Sequence, residues 1–203
     1  MGTRGVATRR VDLRAAAWWA GLGALAGALA GFVWGAVGGR IVMLALRLTT
    51  PEAEGVATDD GFEIGQVTFG GTLNLALVTT IGGAITGLLY VAVRTAVVPA
   101  LRAPLAALFG AAAGGAAFVS PNGIDQRILE PRWLTVGAFI VLPAAATLTI
   151  VLIVERLGRR GPRVLPPGPP RAAAAARALV TVAGVVLTVG AAVALADAVG
   201  QVA

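Results

Sequence analysis

Long uncharged apolar stretches alternate with short polar ones along this chain, and the apolar stretches have membrane length. Residues 15–37, 72–93 and 134–154 carry no charge, 178–197 ends on its single acid Asp197, and 101–119 holds only Arg102, near its start. Roughly 20 apolar residues suffice for a helix to cross the ~30 Å hydrocarbon core. The pattern therefore predicts an all-α membrane protein, a five-transmembrane-helix bundle, with Pro143 as a kink in the fourth span.

Within the first stretch Gly23, Gly27, Gly31, Gly35 and Gly39 recur at every fourth position. Such a step overshoots one helical turn by about 40°, so the five glycines sweep roughly 160° of the helix surface. One straight neighbour cannot cover that arc. The spacing predicts either a strongly crossed contact or two neighbours, one toward each end. Glycine serves here because helices in lipid associate through close backbone approach, which a Cβ would prevent. Gly83 with Gly87, and Gly110 with Gly114, repeat the motif in the second and third spans. Against this stands abundance, since 28 of the 203 residues are glycine. The spacing also leaves open whether the contact is internal or between copies.

The polar stretches divide the rest. Residues 1–14 form a basic tail with Arg4, Arg9, Arg10 and Arg14 against Asp12, followed by Trp18 and Trp19 at the depth of an interfacial anchor. A signal peptide cut after Ala28-Leu29-Ala30 is the competing reading, opposed by the length of the apolar run. Residues 38–71 begin with Gly38-Gly39 and continue as a short amphipathic helix bearing Arg40 and Arg47 on one face. A kink is expected at the glycine pair, with both arginines snorkelling to headgroups or Arg40 pairing with a carboxylate of the loop that follows. That loop carries Glu52, Glu54, Asp59, Asp60 and Glu63 and no base. The alternation of Phe62, Ile64, Val67 and Phe69 suggests a small hairpin. Asp59 and Asp60 are suited to a hard divalent cation, yet no full calcium-loop pattern surrounds them, and a solvated turn is the simpler reading.

After a turn at 94–100, the second outer loop spans 120–133 and mixes Asn122, Asp125, Arg127, Glu130 and Arg132. Its charges neutralise one another. Where it meets the acidic loop and Arg40 is the expected place for an outer polar site. In the second span Thr72, Thr79, Thr86 and Tyr90 share a face. That face either packs on the first helix, its hydroxyls bonded to their own carbonyls, or lines a wet passage. Residues 155–177 form an arginine- and proline-rich linker that starts at Glu155, and 198–203 are an outer tail.

Composition narrows the chemistry. Hydrophobic residues make up 57% of the chain and charged ones 13%. Mean hydropathy is +0.85. The net charge of +6 would raise nucleic acid as a partner in a soluble protein. Here all sixteen basic residues are arginine, in a chain rich in Ala, Gly and Pro, which reads as high genomic GC content rather than a binding patch. Cysteine and histidine are absent, and Ser120, the only serine, has no His or Lys to activate it. No metal site, cofactor or catalytic residue is expected, nor enzymatic activity.

Arginine placement orients the chain. With the N-terminus in the cytoplasm, twelve arginines lie inside and four outside, and eight of the ten acids lie outside. The C-terminus then falls outside. The composition places the chain in a bacterial cytoplasmic membrane as a multi-pass protein. Its expected partners are the lipid bilayer and either further copies of itself or a membrane complex. The favoured functional expectation is an assembly or accessory subunit whose information lies in glycine-faced helices. An oligomeric passive channel or small transporter with a cation-favouring outer vestibule is the alternative, and an outer-surface carboxylate or metal-dependent enzyme comes third.

Overall fold

The computed structural model describes residues 13–56, 67–118, 131–162 and 170–202. These residues are helical throughout apart from short turns, with no strand among them. The first apolar run forms one continuous helical rod from Leu13 to Thr49. It comprises α1 (Leu13–Ala30), a π-helical segment (Gly31–Gly38) and α2 (Gly39–Thr49). Then follow α3 (Phe69–Val93), α4 (Pro99–Phe118), α5 (Arg132–Gly158) and α6 (Pro170–Val202). Among the described residues, four helices are long and apolar enough to cross a membrane: the Leu13–Thr49 rod, α3, α4 and α5. Within α6 the apolar part among the described residues is Val182–Asp197. Among the described residues, the hairpin expected around Phe62 to Phe69 is represented only by its end. There Phe69 opens α3 and Thr68 caps it, its hydroxyl accepting from the Gly71 amide at 3.1 Å. Residues 57–66 lie outside the described part.

The glycine ladder of α1 meets α3 in antiparallel register. A Cβ added at Gly23 would come within 2.6 Å of Gly87 O, one at Gly27 would run into Gly83 O, and one at Gly31 into Thr79 O. Gly35 faces the Thr79 side chain, and Gly39 lies at ordinary contact distance from Leu75. A single neighbour thus takes all five glycines, where a straight α-helix would need a strongly crossed contact or two neighbours. The π segment explains the difference. Its i→i+5 hydrogen bonds put more residues in each turn, so a four-residue step no longer overshoots there and the glycine stripe stops drifting. The rod also runs unbroken through Gly38-Gly39, where a kink was expected. At Gly39 the amide donates to both Gly35 O and Ala36 O, returning the backbone to α geometry. Within one chain, these glycines of α1 lie against α3.

On its other side the rod packs against α5. Trp19, Ala26, Ala30, Ile150 and Val154 form the buried core, with Leu22, Trp34 and Val91 around it. Deep in this seam the Trp34 indole N–H donates to Thr149 Oγ1 at 2.9 Å, so the one polar atom of the ring is paired. A side-chain hydrogen bond between membrane helices contributes about 0.6 kcal/mol on average. We therefore expect a double-mutant cycle of Trp34→Phe and Thr149→Val to return a coupling near that value. Additive losses in reversible unfolding would show the bond to be energetically idle.

Helix α4 packs on α5 at Gly110 and Gly114. A Cβ at Gly110 would meet Pro143 O at 2.5 Å, and Gly114 lies against the Pro143 ring. Pro143 stays inside an unbroken α5, and the Thr147 hydroxyl donates to Pro143 O and Ala144 O, both at 3.0 Å. Gly115, on another face of α4, receives Leu195 of α6. The helices therefore touch in the order α3, α1, α5, α4, α6.

Candidate functional site

Antiparallel succession brings five helix ends to one surface: the start of α1, the end of α3, the start of α4, the end of α5 and the start of α6. Here the chain concentrates its described charge. Glu155, three residues before the end of α5, accepts three hydrogen bonds. Tyr90 Oη donates to its Oε1 at 2.7 Å, Arg94 Nε to the same oxygen at 3.1 Å, and Arg102 Nη1 to Oε2 at 2.9 Å. The arginine side chains are only 15% and 14% exposed, and the carboxylate 29%.

Local structure positions each group. Tyr90 and Arg94 are one turn apart at the end of α3, where the Arg94 amide still closes on Tyr90 O at 2.8 Å. Arg102 sits in the first turn of α4 and its Nε donates to Val97 O in the preceding turn at 3.1 Å, which holds the guanidinium back toward α5. Arg94 also stacks over Trp19, its Cζ 3.8 Å from the ring centroid. Trp19 in turn donates to Pro162 O at 3.1 Å and meets Trp18 edge-on at 4.9 Å between centroids. Gly158 and Gly161 leave room for the two indoles, since a Cβ at either would strike the Trp19 or Trp18 ring. One carboxylate, two guanidiniums, a phenol and an indole thus tie α1, α3, α4 and α5 together, with one positive charge in excess. A cation over an indole face adds roughly 0.5–1 kcal/mol at an exposed site and more when desolvated.

The face named from sequence, Thr72, Thr79, Thr86 and Tyr90, is partly buried throughout. Its threonines donate to their own helix or its cap, Thr72 to Thr68 O, Thr79 to Leu75 O and Thr86 to Gly82 O. Thr79 packs on Gly35 and Tyr90 belongs to the Glu155 cluster.

Of the outer polar group, Asp59, Asp60, Glu63, Asn122, Asp125, Arg127 and Glu130 lie outside the described residues. Arg132 opens α5. Among the described residues the Arg40 Nε is buried without a hydrogen-bond partner, as is the Thr135 hydroxyl. It is Arg47 that pairs with the following loop, reaching Glu54 Oε1 at 2.8 Å. Both partners of that pair are 41% and 56% exposed, and such a bridge contributes little.

Sequence alone does not bring the Glu155 cluster together, since there Glu155 reads as the start of a linker and Tyr90 as part of a face. A signal was available. Glu155 is one of only two acids on the arginine-rich side, and in an antiparallel bundle the end of the second span, the start of the third and the end of the fourth must meet.

The described residues form an all-helical bundle with helices long and apolar enough to span a membrane, clasped at one end by charge. Comparison with protein-family models, with curated proteins and with solved structures yields no match.

Proposed function

We propose that the protein is a non-enzymatic assembly or accessory subunit of a bacterial cytoplasmic membrane, working through helix contacts rather than through turnover. The observation that carries this reading is what its polar side chains do. Trp34 with Thr149, Trp19 with Pro162, and Glu155 with Tyr90, Arg94 and Arg102 all join one helix or turn to another. The small-xxx-small faces of α1, α3 and α4 act in the same sense, as close-packing seams. A chain built in this way holds its own helices in a fixed arrangement and presents an apolar exterior to lipid or to a partner.

In this reading α6 is the fifth span and the element offered to a partner. Its main neighbour among the described helices is α4, and Val182, Val186 and Val193 are 60%, 63% and 64% exposed. Photo-cross-linkers placed at Val186 and Val193 in intact membranes are expected to capture a second protein chain. Cross-links to lipid only, at both positions, would contradict the assembly role.

Arginine counting puts the Glu155 cluster in the cytoplasm. Because the chain has no native cysteine, single cysteines report topology directly. A membrane-impermeant thiol reagent applied to intact cells is expected to label Glu52→Cys and to leave Arg160→Cys unlabelled until the cells are opened. The reverse pattern would invert the orientation.

A further inference from the structure

Between the α3–α4 turn and α6 lies a cavity of about 540 Å³, lined by Thr95, Val97, Val98, Arg102, Ala178 and Val182 among others. Its volume falls in the range that holds a small ligand or part of a larger one. Its position matters as much as its size. The turn connects two apolar spans where both end, so the cavity opens at the boundary between hydrocarbon and headgroups. Among the described residues its wall is apolar except for Thr95 and Arg102, and Arg102 is the only charged one.

Two of the five guanidinium N–H groups of Arg102 are engaged, on Glu155 and on Val97 O. Glu155 is shared with Arg94, so the pairing leaves one positive charge uncompensated. At the same end of the bundle stand Arg14, Arg156, Arg159 and Arg160, and Glu155 is the only acid among the described residues there. An apolar slot with one cation in its described lining, in a strongly basic surround, is complementary to an amphiphile with an anionic head. We infer that this cavity binds an anionic phospholipid, its headgroup phosphate on Arg102 and an acyl chain along Val98 and Val182. The apolar wall is what selects lipid over free phosphate, which would leave that surface empty. The inference rests on the chain lying in a bilayer. It does not depend on the assembly role or on which face is cytoplasmic.

The test uses the full chain in mild detergent, offered equimolar phosphatidylglycerol and phosphatidylcholine and weighed by native mass spectrometry. One basic side chain at a membrane surface favours an anionic lipid by about fivefold, and that preference for phosphatidylglycerol is expected. Val182→Trp, which fills the cavity from α6 and removes no member of the Glu155 cluster, should abolish it, and Arg102→Gln should bring the two lipids to near parity. Equal retention of both lipids by the wild type would overturn the inference, as would a preference untouched by Val182→Trp. So would inorganic phosphate alone raising the unfolding temperature as much as phosphatidylglycerol does. Retention of neither lipid would overturn both the inference and the membrane reading beneath it.

Discussion

Substituting alanine at Gly83 should destabilise the protein severely, while the same substitution at the adjacent Gly82 should be neutral or stabilising. The two positions share one helix and one chemistry, and differ in what a Cβ would meet. At Gly82 there is nothing within 4 Å. At Gly83 a Cβ would run into Gly27 O and come within 2.9 Å of Gly31 Cα. These obstacles are backbone atoms of α1, which cannot rotate away as a side chain would. Overpacking a tight contact costs about 1–3 kcal/mol, and here the whole α1–α3 seam must open to admit the methyl group. At Gly82 the alanine instead gains helix propensity, up to about 1 kcal/mol. Reversible unfolding in mixed micelles measures both. Equal effects at the two positions would mean that α1 and α3 do not approach as described.

The second large effect is expected at Glu155. Replacing it with alanine leaves Arg94 and Arg102, each about 85% buried by side chain, facing one another without their shared acceptor. Removing one partner of a buried ion pair costs about 3–5 kcal/mol, and the partial exposure of Glu155 argues for the lower end or somewhat less, about 2–3 kcal/mol. For a chain of this size that corresponds to a fall of roughly 4–12 °C in the unfolding midpoint. The loss comes mainly from stranded charge rather than from the missing bonds, so a partial rescue distinguishes the two. Adding Arg102→Gln to Glu155→Gln should recover part of the stability that Glu155→Gln alone removes. An unaltered midpoint for Glu155→Ala would reduce the cluster to surface decoration.

How far the sequence foretold this structure varies from element to element. The apolar runs announced α1, α3, α4 and α5, because a helix that crosses a bilayer must be apolar along its whole length. The glycine spacings pointed to the seams for the same reason, since they record a requirement for empty space on a helix face. Their arrangement was less legible. The Gly31–Gly38 π segment has no local sequence signature, as its geometry depends on how α3 and α5 accept the rod, and without it the five glycines could not be assigned to one neighbour. The Glu155 cluster was harder still. It joins residues from α3, α4 and α5 whose separations in sequence, Tyr90 to Glu155 among them, carry no periodicity, and a lone acid beside arginines reads as an ordinary helix end. Arg40 and Arg47 show the limit of local rules. They share a helix face, yet Arg47 reaches Glu54 while the Arg40 Nε is buried and has no hydrogen-bond partner among the described residues.

The assembly role is tested most directly by the mass of the protein extracted from its native membrane into lipid nanodiscs, with co-purifying chains retained. The account predicts a defined complex, either with a second kind of chain or of several copies, that persists on dilution and is lost when bulky residues replace Val186 and Val193. A bare monomer of 20.3 kDa that carries only lipid would contradict it.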